Sequence, residues 1–226
     1  ARAKPPLALL WHDRYLAFAN KPTGQLAHQA GKQLSGTLLN QLQDWAVTQG
    51  IDPNEVRLIN RIDRETSGIL LVAKKRSALK SLQDQFRERE TGKTYLALVT
   101  GQWPANKKVL DKPLHKYLLA DGERRVKVVA KDDPDGMKSV TLVKVKDRLP
   151  GPVGPAAQGY TLLEVTIKTG RTHQIRVHLA SEGLPIAGDD KYGDFELNKA
   201  LQKQADGSAL RRMFLHAWRL QFSHPA

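Results

Sequence analysis

The chain has 226 residues, of which 40% are hydrophobic, so it can bury a sizeable core as one large domain or two small ones. It carries 36 lysines and arginines against 23 aspartates and glutamates, and the net charge of +13 favours an anionic partner. The absence of cysteine excludes disulfides, cysteine-ligated zinc and thiol nucleophiles, and no apolar run reaches the ~20 residues that a membrane span requires.

The N-terminal part of the chain predicts a strand-like segment followed by a helix. Residues 7–20 are apolar and strand-like, with a turn at residues 12–14. Ser35 or Thr37 is placed to cap a helix that runs to about Gly50, because the apolar residues between them recur at i, i+3, i+4 and i+7.

The rest of the chain mixes short strands with helices. Residues 68–73 form an apolar run typical of a buried strand, and a helix with Ser77 as its N-cap follows and ends at Gly92. Another helix should begin after Thr172 and stop at Gly183. Further strands are predicted at residues 95–99, 126–129, 139–145, 160–167 and 212–222. This intermingling favours one α/β domain around a mixed sheet.

A carboxylate flanked by two arginines stands just before the first buried strand. The segment reads Asn60-Arg61-Ile62-Asp63-Arg64-Glu65-Thr66-Ser67-Gly68. A loop of this kind is a candidate active site, and the two arginine charges favour the ionised form of Asp63 as a nucleophile or base. The same residues also fit a polar turn in which Asp63 caps the backbone. The local pattern leaves both interpretations open.

Two further segments concentrate unusual residues. Lys93-Thr94-Tyr95 begins a strand, where Tyr95 fits either a core position or a ring that stacks on a base. Residues 168–178 read KTGRTHQIRVH, with a glycine ahead of the predicted helix and arginines on both sides of its start, which suits phosphate contact. The two histidines there are spaced i, i+5 without an obvious third ligand, which argues against zinc.

Familiar signatures of other enzyme classes are absent from the sequence. It contains no GxxxxGK[ST] P-loop, no GxGxxG after a strand and no GxSxG nucleophile elbow. Composition and periodicity therefore predict a basic α/β domain with an arginine-flanked aspartate and nothing more specific.

Taken together, these segments resemble the RluA-type pseudouridine synthases, over nearly the whole of residues 8–225. The family's motifs stand here at residues 21–28 (K-P-x-G-x-x-V-H), 60–68 (H-R-L-D-x-x-T-S-G), 93–95 (K-x-Y) and 171–178 (R-T-H-Q-I-R-V-H). Blocks at residues 185–193 and 215–217 are also similar to the family.

The resemblance implies a fold and a set of site residues. The fold is the pseudouridine synthase fold, α/β of the α+β type, with a mixed, largely antiparallel sheet flanked by helices. The catalytic aspartate maps to Asp63, the active-site tyrosine to Tyr95, and the arginine that pairs with the catalytic carboxylate to Arg176. Substrate-binding positions are implied at Arg61, Ile62, Arg64, Arg171, His173 and Gln174.

The resemblance also implies a chemistry. Forming pseudouridine breaks the N1–C1′ bond, rotates the uracil and joins C5 to C1′, so the expected isomerase needs no cofactor and no metal. Asp63 would act at C1′ or on a sugar proton, and Arg176 would orient it. Tyr95 would stack on the base and assist proton removal. The uridine must leave its stack, and Arg61 would fill the vacated space.

Within the family, residues 72–79 and 101–103 are most similar to the RluC-like enzymes, which modify large-subunit ribosomal RNA. This predicts large-subunit ribosomal RNA as the partner, with transfer RNA as the alternative. The expected setting is a cytoplasmic monomer without membrane association.

Several features depart from the family pattern. Asn60 replaces the usual histidine and Ala27 the usual valine, which predicts an altered rate or substrate choice. RluC-like proteins usually carry an N-terminal S4 RNA-binding domain, and their catalytic domain continues past the equivalent of Pro225. We therefore expect residues 1–226 to be a single catalytic domain, a fragment that lacks the S4 domain and the extreme C-terminus.

Two other function classes fit part of the sequence. A retaining glycosidase needs two carboxylates ~5 Å apart, but Glu65 is the sole carboxylate near Asp63 in the sequence, and the net charge of +13 suits RNA better than neutral sugar. A non-catalytic RNA-binding assembly factor fits the charge equally well, but it gives no reason for a carboxylate among phosphate-binding arginines.

Overall fold

The computed structural model describes residues 5–30, 33, 35–205 and 209–226. The chain divides into two compact units, Ala1–Gly92 with His216–Ala226, and Lys93–Leu215. Each unit contains its own strands, helices and buried clusters. None of the helices in the described ranges is long and apolar enough to cross a membrane.

The elements follow one another in a mixed order. The strands are β1 (Leu9–His12), β2 (Leu16–Lys21), β3 (Arg57–Leu58), β4 (Ser67–Ala73), β5 (Gly92–Thr100), β6 (Val109–Asp111), β7 (Leu114–Leu118), β8 (Arg124–Val128), β9 (Val140–Leu149), β10 (Tyr160–Ile167) and β11 (Leu215–Gln221). The helices are α1 (Leu38–Thr48), α2 (Arg76–Arg87), α3 (Gln174–Ser181) and α4 (Phe195–Gln202), and a 3-10 turn covers Pro53–Glu55.

In the first unit, β1, β2, β4 and β11 lie side by side in that order, and β3 also pairs with β4. All of these pairs are antiparallel except the parallel pair of β4 and β11. Leu70 and Val72 of β4 belong to the buried cluster that includes α1, whereas Leu71 packs with Leu82 of α2. Because both faces of β4 are covered, its sequence is a continuous apolar run rather than an alternating one.

In the second unit, the strands lie in the order β5-β10-β9-β6, with every pair antiparallel. β7 and β8 form a separate two-stranded hairpin. Leu114 and Val126 of this hairpin share a buried cluster with Val177 of α3. Leu201 of α4 is buried with Tyr160 of β10, so each helix packs on strands of its own unit.

The predicted fold class is confirmed, since the strands form a mixed, largely antiparallel arrangement with four helices in the described part of the chain. The five strands predicted between residues 95 and 222 correspond to β5, β8, β9, β10 and β11, with bounds that differ by a few residues. The sequence did not predict β3, β6, β7 or α4.

Of the two predicted caps of α1, Thr37 occupies the N-cap position, because its side chain accepts a hydrogen bond from the Asn40 N–H in a capping box. The prediction that α2 ends at Gly92 was wrong, because the helix ends at Arg87 and Gly92 begins β5. The prediction of Ser77 as the cap of α2 was wrong: the helix begins at Arg76, and Lys75 occupies the N-cap position without a side-chain hydrogen bond.

Candidate active site

Asp63 lies in a tight turn that leads into β4 of the first unit. The Thr66 N–H donates to the Asp63 carbonyl oxygen over 3.1 Å, and Ser67 begins the strand. The Asp63 side chain is half-buried, whereas Arg61 and Arg64 on either side are exposed. The structure thus places the arginine-flanked carboxylate at the entrance of a buried strand.

A fully buried lysine fixes the position of this turn through hydrogen bonds. Lys21 is 0% exposed, and its Nζ donates to the carbonyl oxygens of Pro22 (2.8 Å), Gln25 (2.8 Å) and Arg64 (2.9 Å). The Gly24 N–H donates to the same Arg64 oxygen over 2.7 Å. Segment 21–25 and the Asp63 turn are therefore fixed to each other by one ammonium group, since three acceptors satisfy its three N–H donors.

The end of the turn is fixed to β11. Ser67 Oγ and His216 Nδ1 lie 2.7 Å apart in a hydrogen bond, and His216 stands opposite Ser67 in the parallel pairing. Gly68 has a φ of +121°, and a Cβ there would overlap the backbone of Ala217. Position 68 is thus a glycine because the neighbouring strand approaches too closely for a Cβ.

The other predicted residues of this loop each contact a different part of the first unit. Ile62, expected to line the substrate pocket, packs against the buried cluster beneath α1. Arg64 Nη2 donates to Gln33 Oε1 over 2.6 Å. Arg61 is exposed and lies near His28, whose pKa is lowered by burial and by the Arg61 charge. His28 is thus held in its neutral form beside Arg61.

The two positions that depart from the family pattern are internal. Asn60 is 7% exposed, and its Oδ1 accepts from the Leu71 N–H over 2.8 Å while its Nδ2 donates to the Ile69 oxygen over 3.4 Å. The amide side chain thereby continues the backbone pairing along β4. Ala27 is 5% exposed within the cluster under α1. Both side chains are therefore buried inside the first unit.

In the second unit, Arg176 of α3 forms a buried ion pair with Asp189. Arg176 Nε donates to Asp189 Oδ2 over 2.9 Å and Nη2 donates to Oδ1 over 2.7 Å, and both side chains are 1% exposed. Burial alone would raise the pKa of Asp189, but the hydrogen bonds and the charge of Arg176 outweigh it, so the pKa lies below its ordinary value. A bidentate pair of this kind fixes the plane of the guanidinium.

The segment that carries Asp189 also holds a tyrosine against Arg176. Tyr192 donates its backbone N–H to Asp189 Oδ1 over 3.2 Å, and the Arg176 guanidinium carbon lies 5.3 Å from the centre of its ring. The hydroxyl accepts from the Val126 N–H (3.0 Å) and lies 2.6 Å from His173 Nδ1. Burial raises the pKa of Tyr192 to about 12, so the hydroxyl stays protonated and can donate a hydrogen bond to His173 Nδ1.

The loop before α3 contains the remaining predicted substrate residues. His173 has a left-handed backbone conformation, with φ of 53°, and precedes the first residue of α3. Arg171 Nε donates to the Lys138 carbonyl oxygen over 3.1 Å. The loop is thus a sharp, hydrogen-bonded entry to α3.

Both polar atoms of the Gln174 side-chain amide form hydrogen bonds inside the protein. Its Oε1 accepts from Thr169 Oγ1 (2.6 Å) and the Arg171 N–H (3.1 Å), and its Nε2 donates to the Val140 oxygen (2.9 Å) and Thr141 Oγ1 (3.0 Å). With 3% exposure, the side chain connects the loop to β9. This geometry favours support of the loop, and the predicted contact of Gln174 with substrate stays a prediction.

Tyr95 lies on β5 opposite Val165 of β10, and it is 9% exposed. The structure brings Arg171, His173, Gln174 and Arg176 together around the start of α3, and Arg61, Ile62, Asp63 and Arg64 together in the loop before β4. Neither Lys21, Asp189 nor Tyr192 was assigned a role from the sequence. Their signal was the similarity of segments 21–28 and 185–193 to family motifs.

An open cavity of about 470 Å³ in the second unit lies elsewhere. Residues from the 155–159 loop and from α4 line it, and none of the predicted site residues does. Over the described ranges, no three histidine, aspartate or glutamate side chains form a group that could hold a metal ion.

Comparison with known proteins places the chain in a family. The profile of the RNA pseudouridylate synthases matches residues 15–181. The ribosomal large subunit pseudouridine synthases C of Escherichia coli K12 and Salmonella typhi are each 42% identical over 219 residues, and that of Pasteurella multocida is 43% identical over 217 residues. These matches cover 96% of this chain but only 60–62% of the relatives, so the chain spans about three fifths of their length.

Solved structures agree with the fold. Human RNA pseudouridylate synthase domain containing 1 superposes with a TM-score of 0.74 at 24% identity, covering 97% of this chain and 80% of that one. Human RNA pseudouridylate synthase domain containing 4 superposes with a TM-score of 0.68 at 26% identity, covering 94% and 83%. The sequence match and the shared fold show that this chain belongs to the RNA pseudouridylate synthase family.

Proposed function

We propose that the chain isomerises uridine to pseudouridine in large-subunit ribosomal RNA. The observation that carries this proposal is the 42% identity, over 96% of the chain, to enzymes whose names state that activity. The net charge of +13 supports a polyanionic substrate. Residues 1–226 would act as one catalytic domain, as a monomer in the cytoplasm, on RNA and not at a membrane.

The reaction we propose is balanced within the substrate. The N1–C1′ bond breaks, the uracil turns, a C5–C1′ bond forms, and the C5 proton is removed while N1 regains one. No electron leaves the substrate, so no oxidant or reductant is consumed. The residue that this chemistry requires is a carboxylate at the sugar, which would either attack C1′ or take a sugar proton.

The geometry around Asp63 supports its assignment as that carboxylate. A catalytic group must be held near its productive position, and the Asp63 turn is tied to Lys21 on one side and to β11 through Ser67 on the other. The side chain itself is only half-buried, so a ligand can reach it.

The contacts of Arg176 fix the position of its guanidinium group. The ion pair with Asp189 occupies Nε and Nη2, and the Tyr192 ring lies beside the group. We keep the assignments of Arg176 and Tyr95 to the reaction as proposals that rest on the family resemblance, together with those of Arg61, Ile62, Arg64, Arg171, His173 and Gln174.

The test is the Asp63→Asn variant. Asparagine keeps the shape but can neither attack the sugar nor accept a proton, so turnover should fall by roughly a thousandfold or more. RNA affinity should stay the same or rise slightly, because one negative charge leaves a basic surface. Pseudouridine formed per folded molecule would be measured on ribosomal RNA, with melting temperature and RNA affinity recorded on the same sample.

The matched control is Asp44→Asn, which removes an exposed carboxylate from α1 of the same unit. It changes the net charge equally and should leave turnover unchanged. Turnover in Asp63→Asn equal to that of Asp44→Asn would refute the assignment. A wild-type protein that binds ribosomal RNA without forming pseudouridine would favour the assembly-factor alternative. Pseudouridine found only in transfer RNA would show that transfer RNA, not ribosomal RNA, is the substrate.

A further inference from the structure

Tyr192 connects three parts of the second unit through one side chain. Its hydroxyl accepts a hydrogen bond from the Val126 N–H of β8 over 3.0 Å and lies 2.6 Å from His173 Nδ1. The His173 and Tyr192 rings meet edge to face, with centres 5.4 Å apart and planes inclined by 66°. The guanidinium carbons of Arg176 and Arg125 lie 5.3 Å and 5.8 Å from the centre of the tyrosine ring. Contacts at the ring and at the hydroxyl therefore both fix this side chain.

The hydroxyl of Tyr192 has a single hydrogen, which determines the direction of its bond to His173. Burial, the main cause, raises the pKa of Tyr192 to about 12, so this hydrogen stays on the oxygen. The Val126 N–H already donates to that oxygen, so the hydroxyl directs its own hydrogen to His173 Nδ1. A ring nitrogen that accepts carries no proton, so the proton of the neutral imidazole is on Nε2.

The backbone at His173 is strained in a way that serves this contact. His173 and Arg89 are the two non-glycine residues with positive φ in the described ranges, and the φ of His173 is 53°. This left-handed conformation costs roughly 1–2 kcal/mol in an L-residue and persists only where the surroundings impose it. His173 occupies the N-cap position of α3, but its side chain makes no capping hydrogen bond. The ring is directed to Tyr192 instead.

We propose that Tyr192 is a positioning residue that fixes the His173 ring, with its proton on Nε2, for hydrogen bonding to an oxygen of the substrate RNA. The inference rests on the proposed function, because it takes the RNA as the partner of His173. An imidazole in this tautomer offers one N–H donor, which suits the oxygens of phosphate, sugar or uracil. A histidine without such a partner can exchange between its two tautomers, and the hydroxyl of Tyr192 removes that freedom.

The first test observes the tautomer directly. Long-range ¹H–¹⁵N correlation spectra at about pH 8, where an ordinary histidine is neutral, distinguish a proton on Nε2 from one on Nδ1. The His173 signals are those lost in His173→Gly, a change that suits the left-handed backbone. We expect the Nε2–H tautomer in the wild type and a mixture of tautomers in Tyr192→Phe. A proton on Nδ1 of His173 in the wild type would refute the inference, whatever the variants do.

The second test measures RNA binding through KM. Tyr192→Phe keeps the ring beside both arginines and removes only the hydroxyl. KM for a large-subunit ribosomal RNA transcript should rise roughly fivefold, with kcat within about twofold, because the hydroxyl acts on binding through His173. An unchanged KM with a lower kcat would mean that Tyr192 acts through Arg176 instead, and it would refute the inference.

The matched control is Tyr160→Phe in the same unit. The Tyr160 hydroxyl is buried and forms no hydrogen bond within the described part of the chain. Its removal should leave KM within about twofold of the wild type and the His173 tautomer unchanged. Equal KM values in Tyr192→Phe and Tyr160→Phe would show that the hydroxyl of Tyr192 has no part in binding.

A double-mutant cycle tests whether Tyr192 acts through His173. His173→Gly should raise KM at least as much as Tyr192→Phe does, and the double variant should raise it less than about twofold further. Additive effects would mean that the two residues act separately, against the inference. Loss of the hydroxyl also leaves the Val126 N–H without its acceptor, which should lower the melting temperature in both backgrounds. A merely structural role would show this loss of stability alone, with KM unchanged for the folded protein.

The two proposals fail in different ways. If the wild type binds the transcript but forms no pseudouridine, the proposed function is wrong, and the tautomer and the dissociation constants of the same variants still test the role of Tyr192. If the wild type forms pseudouridine and Tyr192→Phe keeps both KM and the tautomer, only the role of Tyr192 is wrong.

Discussion

At the scale of single residues, His178 shows how a titratable group is kept neutral in the core. It is 0% exposed, its Nε2 donates to the Lys112 carbonyl oxygen over 2.9 Å, and its Nδ1 accepts from Thr141 Oγ1 over 2.7 Å. The neutral ring satisfies both partners, with Nε2 as the donor and Nδ1 as the acceptor. Burial, the main cause, lowers the pKa of His178 below its ordinary value of 6.5.

This pKa shift predicts acid lability. In the unfolded chain His178 takes up a proton near pH 6.5, whereas in the folded chain it does so only at lower pH. The contribution to stability is therefore complete above pH 6.5 and is lost as the pH falls below that value. Between pH 6.5 and 5, the free energy of unfolding should fall by up to about 1.4 kcal/mol per pH unit for this one group. Urea unfolding at a series of pH values measures it.

The control for this prediction is His178→Gln, which keeps a donor and an acceptor but cannot take a charge in this range. Its free energy of unfolding should depend less steeply on pH than that of the wild type. Equal pH dependence in the two proteins would show that His178 does not contribute. His28, whose pKa is also lowered, titrates in the same direction in both proteins and so does not affect the comparison.

The sequence indicated candidate site residues but not the residues that they contact. Asp63, Arg61 and Arg64 stood out because charged groups precede an apolar run. Nothing local shows that Lys21 reaches the Arg64 carbonyl oxygen across 43 positions, or that Asp189 pairs with Arg176 across 13. These pairings depend on how strands and loops pack in three dimensions, and hydrophobic periodicity carries no information about that.

At the scale of elements, prediction worked where one local interaction sets a boundary. α1 begins after Thr37 because a capping box satisfies the first free N–H groups. α2 lacks such a cap, and the packing of its apolar side against Leu71 sets its position, which is why Ser77 misled. β7 was missed because three of its five residues are exposed and polar residues interrupt its apolar ones.

The junction of β4 and β11 gives a test at this scale. Gly68 has a φ of +121°, and a Cβ there would overlap the Ala217 carbonyl group. Gly68→Ala adds both backbone strain and a steric clash, so it should lower the free energy of unfolding by roughly 3 kcal/mol or more. Because Ser67 is attached to the turn, pseudouridine formation should also fall. Urea unfolding and turnover per folded molecule measure the two effects.

A matched glycine separates the two causes. Gly50 in the same unit has a φ of +71°, but a Cβ there would meet no atom within 4 Å. Gly50→Ala should therefore cost only the backbone term, about 1 kcal/mol, with turnover per folded molecule unchanged. Equal destabilisation in the two variants would mean that the approach of β11 does not constrain position 68.

At the scale of the whole molecule, the sequence indicated the family and the fold class more securely than the internal organisation. Ordered motifs along the chain identify a shared ancestor, and the excess of basic residues indicates the kind of partner. The division into two compact units was not predicted, because strands of both units have similar alternating or apolar patterns. Which strands pair within a unit depends on contacts between distant segments.

The net charge of +13 leads to a prediction about RNA binding. Each phosphate neutralised by a lysine or arginine releases condensed counterions, so affinity falls as salt rises. About five phosphate contacts predict a log–log slope of about −4, which weakens binding by roughly two hundredfold between 50 and 200 mM salt. Fluorescence anisotropy with a fixed ribosomal RNA fragment measures the dissociation constant at each salt concentration.

Salt also stabilises folded RNA, so the melting curve of the fragment must be recorded in each buffer, and a fragment whose structure does not change over the range should be used. With that control, the slope reports protein–phosphate contacts alone. A wild-type affinity that hardly changes between 50 and 200 mM would mean that phosphates do not dominate docking, and the basic surface would then need another partner.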